Sequence, residues 1–259
     1  MSGRKKPPHG GRKKASQEGG VAVLERPAFS EFQSIEEWSP DLQKSKAYEQ
    51  ILLDIILGVL PPNARLDEHG LAERYGFGLA GVRDALGRLS LEGLVQRRAR
   101  SGTTIAPLDL LEVEQAFEVR YLLEPHGAAL AARHATPEEV ERISTAFDGA
   151  EKAARKRDFR TLVSMDQAFH RAVAIGSHNM TLARVVVSLH HKAARYWYHS
   201  MTTRPEHDRL QDIHDHRAAA AAIAEGDPSS AHEAMLRVLG DFPDSVRDSV
   251  SRTRRGELA

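Results

Sequence analysis

The fold this sequence predicts is mostly α-helical and in two parts, an N-terminal winged helix-turn-helix followed by an all-α antiparallel helical bundle. Three observations carry that expectation. Three short helical patterns with one apolar face each lie between Ser45 and Leu91. Two short extended runs follow directly, on either side of Ser101-Gly102, as a β-hairpin requires. Beyond Pro107 no strand signal returns. At 259 residues and 41% hydrophobic side chains, the chain has material for two separate cores.

The first element is a tail. Residues 1–44 are rich in Gly, Pro and charge and have no apolar period, so they are expected to be disordered. Arg4, Lys5, Lys6, Arg12, Lys13 and Lys14 cluster there with no apolar run behind them, so the segment does not read as a signal peptide. It serves either as a solubilising tail or as a basic arm on DNA phosphates.

Residues 45–107 make the winged domain. In the first helix Tyr48, Ile51, Leu52, Ile55, Ile56 and Val59 recur at helical spacing, until Gly58 and Pro61-Pro62 end it. A second helix at about 67–75 turns Leu71, Ala72 and Tyr75 inward, and Gly76-Phe77-Gly78 is the turn. A third at 79–91 buries Val82, Ala85, Leu86 and Leu89. The extended runs 94–98 and 103–106 complete the wing. In this arrangement the third helix enters a major groove, and the hairpin lies along the backbone or in an adjacent minor groove. Arg83 projects from the third helix opposite its apolar face, toward phosphate or a base edge, with Arg88 on the same helix. Arg100, Ser101, Gly102 and Thr103 form the wing tip, where glycine permits close approach. A solvated charged surface is the competing reading, weakened because helix and wing occur together.

Residues 108–250 are expected to form the bundle, an effector-binding and dimerisation domain. Helical stretches fall at roughly 109–133, 137–156, 158–176, 179–202, 206–225 and 228–250. Thr136-Pro137, Gly176 with Asn179, and Glu225-Gly226-Asp227-Pro228 mark breaks between them, and 251–259 is a flexible tail.

Composition excludes several chemistries. There is no cysteine, which removes disulfides, thiolate metal sites and cysteine nucleophiles. No run approaches the roughly 20 apolar residues needed to span a bilayer, so no membrane is expected and the cytoplasm is the expected location. The 36 basic and 36 acidic residues cancel, but the front is basic and the acidic residues spread through the later helices.

The order of motifs resembles the GntR family of transcriptional regulators, in its FadR-like branch with an FCD C-terminal domain. The carriers at the front are Gly58-Val59-Leu60-Pro61-Pro62, Leu66-Asp67-Glu68, Leu71-Ala72, Val82-Arg83-Asp84-Ala85-Leu86-Gly87-Arg88-Leu89, Glu92-Gly93-Leu94-Val95 and Gly102. At the back they are Arg120-Tyr121-Leu122-Leu123-Glu124-Pro125, Asp166-Gln167-Ala168-Phe169-His170 and Asp215-His216-Arg217. The resemblance implies double-stranded DNA as partner, a homodimer, and a small organic-acid effector gripped by Arg120. The bland alternative for Arg120 is an internal salt bridge to Glu124, four residues on.

Two departures stand out. Where the family has Ser-Arg-Thr-Pro at the start of the third helix, this chain has Gly78-Leu79-Ala80-Gly81, so its operator is expected to differ from the family's common one. The family's FCD metal site uses one Asp and three His, the last 22 positions after the third ligand, and counting from His216 lands on Val238.

Asp166 and His170 share a helix face with Phe159, Leu162, Phe169 and Val173, and His216 sits similarly among Ile213, Ala220 and Ile223. Burying such groups is costly unless something binds them. They hold either a divalent, zinc-like metal or a hydrogen-bonded Asp–His pair that has lost its metal, with Val238 the sign of that loss. His190 and His214 are available as a replacement ligand, and spacing selects neither.

The function expected is a sequence-specific DNA-binding regulator whose affinity is set by a small carboxylate effector in the bundle. The alternatives are a metal-dependent helical-bundle enzyme acting on a small organic acid, and a protein that kept the fold without specific DNA binding. The basic wing, and the lack of an evident general base or nucleophile, argue against the enzyme.

Overall fold

The computed structural model describes Met1, residues 43–98 and residues 102–240. The tails expected at 1–44 (apart from the start of the first helix) and 251–259, the wing-tip residues Arg100 and Ser101, and residues 241–250 lie outside the described residues.

Helix α1 (Gln43–Ile56) buries Tyr48, Ile51, Leu52, Ile55 and Ile56. Val59, read as the last member of that stripe, is exposed instead, because the helix has already ended and Gly58 turns to φ +69°. Helix α2 (Glu68–Tyr75) is capped by the Asp67 carboxylate, and Gly76 closes it at φ +70° before the turn into α3 (Leu79–Leu91). Strands β2 (Val95–Arg98) and β3 (Gly102–Ile105) pair antiparallel with Arg98 opposite Gly102.

The wing holds one strand that the sequence did not foretell. β1 (Arg65–Leu66) pairs with the outer side of β3, giving the order β1-β3-β2. Two residues are too few to show a period, and burial of Leu66 is what anchors them.

In the bundle, α4 (Leu110–His134), α7 (Phe159–Gly176), α8 (Met180–Thr203) and α9 (Glu206–Ala224) follow the expected stretches, whereas α10 (Pro228–Leu239) stops short of the expected 250, because Gly240 turns to φ +59° and caps it. The single helix expected over 137–156 is two, α5 (Pro137–Thr145) and α6 (Ala150–Lys156). Between them Gly149 adopts φ +81° and Phe147 turns into the core, 3% exposed. Side-chain caps start most of these helices: Asp109 for α4, Thr136 with Glu139 in a capping box for α5, Asp158 for α7 and Asp227 for α10. Helix α3 starts at Gly78 with no side-chain cap.

Head and bundle are joined by packing. Val163 of α7 and Ala194 of α8 belong to the same apolar cluster as Leu86 and Leu89 of the head. Arg160 meets Asp54 at 2.5 Å and Arg171 meets Glu49 at 2.7 Å, while Arg195 of α8 donates to the Ala106 carbonyl at 3.0 Å. Among the described residues no helix is long and apolar enough to cross a membrane.

Candidate functional site

On the head, α3 and the wing lie side by side. Arg83 is exposed, with Nε 2.9 Å from Glu68 Oε2, and Arg97 of β2 donates to the Arg83 carbonyl at 3.2 Å. Arg83, Arg97 and Glu68 thus form one charged surface running from helix to strand. Gly102 is exposed at φ +86°, at the start of β3.

Two residues sit elsewhere than the sequence suggested. Thr103, placed at the wing tip, is buried between Leu66 and Arg97 in the sheet, because β1 covers that side of β3. Arg88 does not project from the free face of α3. Its guanidinium lies 4.2 Å over the Tyr48 ring and its Nε donates to Glu92 Oε1 at 3.0 Å, both at the join with the bundle.

The bundle encloses a cavity of about 370 Å³ whose lining includes Arg120, Asp166, His170, His190, His216 and Val238. Arg120 is buried on α4, its Nε donates to Glu124, and its Nη2 donates to His190 Nδ1 at 3.0 Å. Both readings of Arg120 from the sequence therefore meet in one place: it makes the internal salt bridge, and it lines the cavity.

A guanidinium can only donate, so His190 Nδ1 must accept, and the neutral ring carries its proton on Nε2. Burial, with His170 and Arg120 adding to it, pushes the His190 pKa down to about 3, which keeps that ring neutral. Its Nε2 lies 3.0 Å from Asp166 Oδ2, close enough for an electrostatic contact but too poorly aligned for a hydrogen bond.

Comparison with known proteins places this architecture. Residues 43–105 match the family of bacterial regulatory proteins named gntR, and residues 115–241 match the FCD domain. The chain is 30% identical over 210 residues to the HTH-type transcriptional regulator LutR of Bacillus subtilis, covering 72% of this chain and 93% of that one. This protein belongs to the GntR family of transcriptional regulators. It is also 30% identical over 205 residues to the HTH-type transcriptional repressor GlaR of Escherichia coli, with 74% and 90% covered. Among solved structures, the fold of Escherichia coli McbR/YncC matches at a TM-score of 0.67 and 18% identity, across 81% of this chain and 99% of that one. These relatives are regulators, and the enzyme alternative is set aside.

In the FCD half of this GntR-family regulator, the polar centre brings metal-ligating side chains together. Asp166, His170 and His216 each offer a ligand atom within 4.8 Å of the others, all buried. Both histidines give away their Nδ1–H, His170 to Glu124 Oε2 at 2.5 Å and His216 to the Asp212 carbonyl at 2.7 Å. Their Nε2 atoms then face Asp166 Oδ1 at 3.7 and 3.6 Å. His216 Nε2 and Asp166 Oδ2 have no hydrogen-bond partner.

Two ring nitrogens and a carboxylate oxygen converge on one buried point, a set that a shared proton or a cation completes. Burial opposes charge on His216, but Asp212 and Asp166 outweigh it and raise its pKa. Positive charge is therefore drawn to this point, whether as a proton or as a metal ion. The residues fit a divalent cation, while Val238, at the family's fourth position, contributes only an apolar side chain to the wall.

Several residues of the site were not legible beforehand. Glu124 was seen only as a partner for Arg120, yet it also orients His170. His190 and His214 were indistinguishable by spacing, and packing separates them: His190 is buried against Asp166, while His214 is exposed. His191 had no signal at all. Its Nδ1 lies 2.9 Å from Glu92 Oε2, and the same carboxylate takes the Tyr48 hydroxyl at 2.8 Å. Burial works against the charge on Glu92, but His191, Arg88 and Tyr48 overcome it and hold its carboxyl at about 2.

Proposed function

We propose that this regulator binds its operator as a homodimer, and that a small organic acid in the bundle cavity, with a divalent metal such as zinc on Asp166, His170 and His216, sets its affinity for DNA. The observation that carries the reading is a pair of neighbours on α8. His190 turns into the cavity against Arg120 and Asp166, while His191 turns outward to Glu92, the residue that ends α3. A small rotation of α8 on ligand binding therefore acts directly on the helix that reads DNA, and Arg195 couples the same helix to the interdomain backbone.

On the DNA side, Arg83 and the wing around Gly102 meet the duplex, and Arg97 supports Arg83 from β2. Two heads related by a two-fold axis would read a palindrome with half-sites about one helical turn apart. In the bundle, Arg120 presents a planar fork suited to a carboxylate, and the metal supplies a second positive group for the same anion. Residues 45–107 then form the reading domain and residues 108–250 the sensing and dimerising one.

The test is selection of sites from a random duplex pool, followed by affinity measurements with and without zinc. A short palindrome whose affinity shifts at least about fivefold with zinc supports the reading. Sequence-blind, salt-sensitive binding overturns the regulator's specificity. In His191→Gln the zinc response of DNA affinity is expected to vanish while zinc still binds. A full response in that variant would remove α8 as the connection.

A further inference from the structure

A second cavity, of about 560 Å³, lies where the head meets the bundle, and neither the DNA-reading surface nor the proposed effector site uses it. Among the described residues its lining has four cationic side chains, Lys46, Arg88, Arg142 and Arg171, against one carboxylate, Glu49. They come from both domains: α1 and α3 supply the first two, α5 and α7 the others. Glu49 answers Arg171 at 2.7 Å, and Glu92, outside the lining, answers Arg88 at 3.0 Å. Lys46 and Arg142 remain within the lining after both pairs are counted, Arg142 having Glu138 and Glu139 of its own helix nearby but outside the lining. Arg142 and Lys46 are exposed at the cavity from opposite sides of the domain boundary.

Two further features suit a ligand. Phe77, Ile175 and Val187 give the cavity an apolar wall, so it is not simply a charged surface. The Ser45 hydroxyl, in the same lining, is buried and has no hydrogen-bond partner. A buried hydroxyl is ordinarily satisfied, and a ligand oxygen would complete it.

We infer that this interdomain cavity binds a small organic anion. Its carboxylate or phosphate-ester head group meets Arg142 and Lys46, and its apolar body lies against Phe77, Ile175 and Val187. Because the walls belong to both domains, such a ligand bridges α5 and α7 to α1 and α3 and holds the head in one orientation on the bundle. The site is separate from the cavity of Arg120, so the regulator answers to two small molecules.

The experiment uses the full chain and anilinonaphthalene sulfonate, a sulfonate anion on an apolar ring body, followed by fluorescence with no DNA or metal added. One saturable site per chain is expected. Its affinity falls about tenfold in Arg142→Glu and by a smaller factor in Arg142→Gln, while Arg237→Glu, at the bundle cavity, changes it less than about twofold. Arg142 is exposed, so both of its variants fold, as matching circular dichroism and melting will show. Unchanged affinity in the Arg142 variants, or an equal or larger loss in Arg237→Glu, overturns the assignment. Neither result bears on zinc or operator binding, so this inference and the proposed function fail separately.

Discussion

At the centre of the head, Ile51, Leu52, Leu86 and Leu89 pack against one another and against Leu94 and Ile105. At the centre of the bundle, six ionisable side chains, Arg120, Glu124, Asp166, His170, His190 and His216, are each no more than 4% exposed. Apolar packing is non-directional and complete in itself. A buried polar centre is complete only when every donor and acceptor is answered, and here Asp166 Oδ2 and His216 Nε2 are not. One domain is thus built to keep its shape, and the other to depend on what enters it.

The largest effect should come from the apolar side. Leu86→Ala removes a side chain that is 0% exposed, and is expected to cost about 2–5 kcal/mol in a denaturant titration and to abolish operator binding. A loss below about 1 kcal/mol would mean that the head does not rest on this packing.

Glu92 tests the join between the domains. Its folded pKa of about 2 lies below the ordinary 4.5, so its contribution is fully present above pH 4.5 and disappears as the pH falls toward 2. The amount is roughly 3 kcal/mol at most. Glu92→Gln should flatten the stability profile across that acid window, and an unchanged profile would show that the cluster with Tyr48, Arg88 and His191 stabilises nothing.

Zinc tests the polar centre. At a hundredfold excess over its Kd it should stabilise the metal-stripped protein by about 2.7 kcal/mol, read as a rise in Tm that a chelator reverses. His216→Ala should lose that rise. Because protons compete for the same histidines, the rise should also shrink on acidification. A rise of equal size in His216→Ala would place the metal elsewhere.

The smallest effect concerns the start of α3. Gly78 has extended φ and ψ of −66° and 147°, which a serine can adopt, so Gly78→Ser should add a few tenths of a kcal/mol by supplying the absent cap. Thermal melts read it directly, and destabilisation would mean that the glycine is needed for a close approach at this turn.

Much of the fold was legible because it rests on periodicity and punctuation. The stripe from Tyr48 to Ile56, the cap at Thr136, the break at Glu225-Gly226-Asp227-Pro228 and the glycines that end helices are local features, decided within a few residues. The misses were of another kind. β1 is too short to have a period, and the break at Phe147–Gly149 reflects a side chain turning toward a core that only the assembled bundle provides. Arg88, grouped by sequence with Arg83 on the DNA-reading helix, is drawn instead to Tyr48 and Glu92.

The candidate site divides in the same way. Asp166 and His170, four apart on α7, and His216 beside an apolar stripe on α9 were readable from sequence, as was membership of the GntR family from the order of its motifs. The roles of Glu124, His190, His191 and Glu92 were decided only by tertiary structure. Spacing along one helix determines which side chains share a face. Which face meets which neighbour, and so which nitrogen keeps its proton and which charge finds a partner, depends on helices brought together from distant parts of the chain.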